Sequence, residues 1–330
     1  MEGGFMKRPI TQNQSLSLRI SVTDKCEFRC LYCMPSEGVG MRRHDEILSF
    51  EQIADFIELA RSEFDLRKVH LTGGEPLVRK GIVDLVGMIA EIGVEDLALT
   101  TNACKLAALA GDLKNAGLDR VNVSLDSLET ETFATLTRGG NLAEVIEGID
   151  AALANGLGPI KFNTVVLRGH NDTHIVDMTR WAMARGCIIR FLELMPIGCI
   201  KPRFEELYVS YDQIVQRLEG AFDLKALPYS PGASTKYFKV SDADGHLGSL
   251  GLISGQSQPF CSSCRRLRLT STGKLITCLA HGQGPDIAGL LCGDDPSARE
   301  TLRTIVSDEL DAKAHRGDFD TDHAMAAVGG

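Results

Sequence analysis

Between residues 16 and 195, short β-rich runs alternate with longer helical patterns. That rhythm restricts the chain to a β/α fold with a parallel sheet before any single residue is weighed. Strand candidates lie at 16–22, 67–72, 96–100, 119–125, 159–166 and 187–195. The clearest helix begins at Ser49, which forms an S-x-x-Q capping box with Gln52 and is followed by Phe50, Ile53, Ala54 and Ile57 at helical spacing. Further helical patterns occupy 82–91, 105–115, 142–155 and 173–185, so the sequence predicts six β/α units.

The strands themselves alternate. Leu16, Leu18, Ile20 and Val22 share one side of the first, with Ser17, Arg19 and Ser21 on the other. Val69 and Leu71 stand against Lys68, His70 and Thr72; Val121, Val123 and Leu125 against Asn122, Ser124 and Asp126; Ile160 and Phe162 against Lys161 and Asn163. Crossover helices cover the outside of such a sheet, so the polar side must look inward. Closed eight-stranded barrels fill their interior with branched apolar residues. A polar lumen dotted with cations predicts instead an incomplete (β/α)6 TIM-like barrel that holds a charged ligand.

After residue 195 the rhythm stops. A Pro-rich stretch carries one helix opened by the Ser210–Gln213 box, followed by strand-like pieces at 236–240, 247–253, 266–270 and 274–277 and an Asp-rich helical tail. The expected division is a tail (1–15), a partial barrel (16–195) and a C-terminal region (196–330). A net charge of −9 argues against nucleic acid as a partner, and no apolar stretch approaches the length of a membrane span. The start lacks the apolar core of a signal peptide, so a cytoplasmic location is expected.

Ten cysteines are many for such a protein, and a reducing compartment directs them to metal or catalysis. Cys26, Cys30 and Cys33 form C-x3-C-x2-C directly after the first strand; Cys261, Cys264 and Cys278 form C-x2-C-x13-C, while Cys104, Cys187, Cys199 and Cys292 stand alone. Three sulfurs leave a site one ligand short. His44 could complete a structural zinc site, whereas a 4Fe-4S cluster on three cysteines keeps one iron open.

The segment Cys-Glu-Phe-Arg-Cys-Leu-Tyr-Cys, with Gly-Gly-Glu-Pro at 73–76, resembles the signature of radical S-adenosylmethionine enzymes. In that family the open iron binds S-adenosylmethionine, and an electron from the cluster cleaves it to a 5'-deoxyadenosyl radical. The resemblance implies that Tyr32, Gly73, Gly74, Glu75, Ser124 and Met195 flank S-adenosylmethionine.

The second cysteine group lies beside Arg266 and Arg268, which share one face of a strand opposite Leu267 and Leu269 and suit a phosphate. Together with Leu-Arg-Ile-Ser-Val-Thr-Asp before Cys26, Thr-Thr-Asn at 100–102, Val-Ser-Leu-Asp at 123–126, Gly251-Leu252-Ile253-Ser254 and a terminal Gly-Gly, it resembles the GTP 3',8-cyclase family of molybdenum cofactor biosynthesis. That resemblance implies two 4Fe-4S clusters, the second binding guanine. It also implies a GTP site made by Arg19, Lys68, His70, Thr100, Lys161, Arg190, Arg266, Leu267 and Arg268, and a catalytic tail ending in Gly329 and Gly330. An electron donor of the flavodoxin or ferredoxin type and the next pathway enzyme are the implied partners, and a homodimer is allowed. His70 stands where the family usually has arginine, and Ala103-Cys104 replace a glycine-led turn. The other readings are a peptide-modifying radical enzyme with an auxiliary cluster and a zinc-binding scaffold.

Overall fold

The computed structural model describes residues 15–40, 42–229, 233–259, 264–279, 282–291, 293, 295–312 and 325. Strands β1 (Leu16–Ser21), β2 (Leu66–Thr72), β3 (Asp96–Thr101), β4 (Arg120–Ser124), β5 (Lys161–Val165) and β6 (Ile188–Leu192) lie side by side in chain order, all parallel. They are the six expected strands. Helices α1 (Phe50–Phe64), α2 (Ile82–Ile92), α3 (Leu106–Asn115), α4 (Thr130–Thr137), α5 (Leu142–Ala154) and α6 (Ile175–Ala184) connect them. The Ser49–Gln52 box caps α1 as expected. Helix α4 is additional to the sequence expectation, because eight residues rich in threonine carry little helical signal.

Beyond β6 come α7 (Phe204–Leu207), α8 (Tyr211–Glu219), β7 (Asp223–Ala226), β8 (Lys236–Ser241), β9 (Leu247–Ile253), β10 (Arg266–Leu269), β11 (Leu275–Ile276) and α9 (Pro296–Ala312). Four of these late strands are the strand-like pieces expected from the sequence, and together they continue the barrel sheet at both of its edges, a pairing the sequence did not suggest. Strand β9 pairs parallel with β6 and β10 parallel with β1, giving the order β11-β10-β1-β2-β3-β4-β5-β6-β9-β8-β7.

The alternation of the strands becomes two environments. Leu16, Leu18, Ile20, Val69, Leu71, Val121, Val123 and Phe162 are fully buried in one core with the helices. Each such side chain contributes about 2 kcal/mol of transfer free energy. The polar residues between them are left on the inner face. At the end of β6, the carboxylate of Glu193 accepts from Tyr208 Oη (2.9 Å), Tyr211 N (2.7 Å), Gln256 N (3.0 Å), Ser257 N (2.9 Å) and Ser257 Oγ (2.6 Å), tying the barrel to α8 and to the turn after β9. No helix among the described residues is long and apolar enough to cross a membrane.

Candidate active site

The loop after β1 carries Cys26, Cys30 and Cys33, all half-buried. Its shape is imposed by α4: Arg29 N donates to Thr137 O (3.0 Å) and Leu31 N to Leu136 O (2.9 Å), while the Phe28 ring meets Phe133 edge to face at 5.9 Å. Burial pushes the Cys26 thiol up to about 12. Cys30 is raised as well, by burial first and then by Cys33, Asp126 and Cys26. Three sulfurs gathered on one loop are a donor set that fits an iron-sulfur cluster, whose irons would hold them as thiolates against this burial.

The Gly-Gly-Glu-Pro segment fastens this loop from the other side. Gly74 N donates to Thr23 O (2.6 Å) and Glu75 N to Lys25 O (2.7 Å). A Cβ on Gly73 would collide with Thr23 O, and one on Gly74 with Lys25 O, so both glycines serve a backbone-to-backbone approach. The Glu75 carboxylate is occupied by its own chain, accepting from Leu77 N (3.0 Å), Thr101 Oγ1 (2.7 Å) and Asn102 N (2.6 Å). Burial nonetheless pushes it up to about 7, against the pull of those bonds. Tyr32 donates its hydroxyl to Asp126 Oδ2 (2.7 Å), and Asp126 Oδ1 accepts from Val165 N (2.9 Å). Ser124 lies on the inner face in register with Asn163, and Met195 lies just past β6, its Sδ 3.3 Å from where a Gly255 Cβ would be.

The remaining expected residues form ladders across the inner face. In register lie Arg266, Ser17, Lys68 and Asp96 on one rung, and Arg268, Arg19, His70, Ala98 and Arg120 on the next. Lys68 is exposed at the rim. Arg19 Nη2 donates to Thr100 Oγ1 (3.5 Å) and Arg190 Nη2 to Asn122 Oδ1 (3.1 Å). Burial, followed by the charges of Arg268, Arg266 and Arg190, lowers the pKa of Arg19 well below its usual value. Such crowding of like charges is relieved by an anion. Arg19 Nε, Arg190 Nε and Asn163 Oδ1 are buried without a hydrogen-bond partner, as expected of walls shaped for a polar ligand. Leu267 turns its side chain into the core and offers the lumen only backbone.

Of the second cysteine group, Cys264 and Cys278 flank the β10–β11 hairpin. Burial and Arg266 bring Arg268 down to about 10, while Cys264 and Cys278 act in the opposite direction, which puts that arginine beside these sulfurs. Cys261, Gly329 and Gly330 lie outside the described residues.

Two inner-face residues were missing from the expected set. Arg120 precedes Asn122 by two positions, so the same alternation marks it. Its guanidinium is held by Asp96 through two bonds of 2.9 Å and reaches His70 Nε2 at 3.1 Å and Asn122 Oδ1 at 3.2 Å. Tyr237 enters from β8 and lies against Lys161, 5.8 Å from its Nζ to the ring centroid. No local signal could place it there.

Residues 20–182 match the profile of the Radical SAM superfamily, and residues 187–319 that described as Molybdenum Cofactor Synthesis C. The GTP 3',8-cyclase of Alkaliphilus oremlandii is 39% identical over 320 residues, covering 95% of this chain and 97% of that protein. That of Geobacter sulfurreducens is 43% identical, with 88% of each chain covered. Among solved structures, Streptococcus suis SuiB bound to S-adenosylmethionine superposes with a TM-score of 0.57 at 15% identity, over 88% of this chain and 68% of that one, a likeness of fold. The chain belongs to the GTP 3',8-cyclase family of radical S-adenosylmethionine enzymes.

Proposed function

We propose that Cys26, Cys30 and Cys33 hold one 4Fe-4S cluster, that Cys261, Cys264 and Cys278 hold a second, and that GTP lies between them against the inner face of the barrel. The reaction is conversion of GTP to (8S)-3',8-cyclo-7,8-dihydroguanosine 5'-triphosphate, the first step of molybdenum cofactor biosynthesis. The observation that carries this reading is the register of Arg268 beside Arg19, with Arg190 and Arg266 adding to the same positive field. A triphosphate supplies the missing negative charge.

Held by Cys26, Cys30 and Cys33, the first cluster would supply the electron that cleaves S-adenosylmethionine to methionine and the adenosyl radical able to take hydrogen from the ribose. The chain's own contribution is placement. Arg19, Lys161, Arg190, Arg266 and Arg268 fix the triphosphate, with Thr100 and Lys68 at its margins, so the sugar is presented to one side of the lumen. Tyr32, Gly73, Gly74, Ser124 and Met195 form the S-adenosylmethionine wall; Glu75 acts there by tying the loop after β2 to the turn after β3 through Asn102 N.

The tail belongs to the same site. Met325 N donates to Cys33 O at 3.1 Å, which supports bringing Gly329 and Gly330 to the reacting centre. Residues 16–195 then form the radical SAM partial barrel, and residues 196–330 the C-terminal region that adds the second cluster and the remaining contacts to substrate. A one-electron donor of the flavodoxin or ferredoxin type, the next enzyme (which forms cyclic pyranopterin monophosphate) and a cytoplasmic setting complete the reading, and a homodimer is compatible with it.

The test is anaerobic incubation of the reconstituted protein, carrying about eight irons per chain, with GTP, S-adenosylmethionine and reductant. GTP-dependent 5'-deoxyadenosine and the cyclised nucleotide are expected. Release of 5'-deoxyadenosine that ignores GTP overturns the assignment of substrate.

A further inference from the structure

The Gly251-Leu252-Ile253-Ser254 motif has no role in the site as described so far, and its glycine sits at an instructive place. Strand β9 lies between β6 and β8, and its register sets Arg190, Gly251 and Tyr237 in one row. A Cβ at position 251 would come 2.5 Å from Thr235 Cγ2, 3.0 Å from Arg190 Cγ and 3.2 Å from Tyr237 Cε1. The absent side chain is therefore the opening through which a tyrosine two strands away leans onto β6. The same ring reaches Lys161 of β5.

One phenol from the C-terminal region thus stands between two cations of the barrel. Burial raises its pKa, but the charges of Lys161 and Arg190 and their hydrogen bonds outweigh that and pull it below the usual range. Tyr237 in turn favours the charged forms of both partners, against burial and against Arg120. A phenol oxygen has two lone pairs and one proton. With both cations donating to the oxygen, the proton is directed away from them and needs an acceptor.

We propose that Tyr237 is a substrate-positioning residue of the GTP site: its oxygen holds Lys161 and Arg190 together across Gly251, and its hydroxyl donates to an anionic oxygen of the triphosphate. This rests on the function proposed above. It also gives the conformation of β8 and β9 a direct part in reading the substrate.

The experiment compares binding of GTP and of guanosine to the anaerobically reconstituted protein. Tyr237→Phe keeps the ring and removes only the hydroxyl. GTP affinity should fall about tenfold, the size of one charge-assisted hydrogen bond, with guanosine affinity and iron content unchanged. Gly251→Ala, whose methyl would crowd Thr235 and Arg190 as well as the ring, should show a triphosphate-specific loss at least as large. If Tyr237→Phe binds both ligands as the wild type does, or loses both equally, the positioning role is wrong and the ring is packing. If the wild type itself fails to bind GTP, the functional reading falls, a different result from the preceding two.

Discussion

Arg120 Nη2 lies 3.1 Å from His70 Nε2, and because an arginine can only donate, the imidazole nitrogen must accept. Position 70, where the resemblance leads one to expect arginine, therefore holds a neutral ring, with the charge supplied from the next strand but one. Asp96 clamps that arginine from behind. The rung keeps a cation within reach of this position without setting a further guanidinium directly beside Arg19.

This arrangement has a pH dependence. Burial, then Arg19, Arg120, Arg190 and Lys161, lowers the pKa of His70 well below its ordinary 6.5. Between the lowered value and 6.5, the unfolded chain binds a proton that the native chain does not, so stability must fall as the pH drops below 6.5. Urea denaturation of the ligand-free protein between about pH 5 and pH 8 should show a slope steeper than that of His70→Asn by up to about 1.4 kcal/mol per pH unit. Parallel curves would mean that His70 titrates normally.

Gly74→Ala drives a methyl group into Lys25 O, on the loop that carries Cys26. The clash lies in the loops beyond the ends of β1 and β2, outside the strand pairing, so far-UV circular dichroism should be retained. Iron per chain should fall from about eight to about four after reconstitution. A variant with full iron would show that the loop can retreat without losing its cysteine geometry.

Glu193→Gln replaces one acceptor oxygen by an NH2 in a pocket lined by five donors. Either orientation sets a donor against donors, and the native state should lose about 3 kcal/mol. The denaturation midpoint should shift with an unchanged slope. A shift of a few tenths of a kcal/mol would show that the turn after β9 is held by something else.

Removing Gly329 and Gly330 leaves the Met325 N to Cys33 O contact in place. Both clusters and S-adenosylmethionine binding should survive, and formation of the cyclised nucleotide should be lost. Unchanged turnover would refute a catalytic tail.

The inner face of the barrel was legible because a period of two is a local property: Arg19, Lys161 and Ser124 could be assigned to the lumen from their own strands. Arg120 was equally legible by the same count, and adding it explains what His70 does. The pairing of β9 with β6 and of β10 with β1 left no such trace. Leu250 and Leu267 look alike in a sequence whether their strand joins the barrel or stands apart, since the choice of neighbour depends on segments far along the chain. Tyr237 follows from that long-range pairing, and so was invisible without it. The Ala103 turn shows the opposite case. A departure visible in the sequence resolves into a residue held at φ 68°, the left-handed conformation that glycine would adopt more easily.

The neighbours of β1 have one more implication, for synthesis. On the ribosome β1 emerges among the first elements, yet β10, which covers its outer edge, comes near the end. For most of translation the nascent barrel must carry an open strand edge, the kind of edge that recruits foreign strands. The delivery of Arg266 and Arg268 to the inner face and the protection of that edge are thus the same late event.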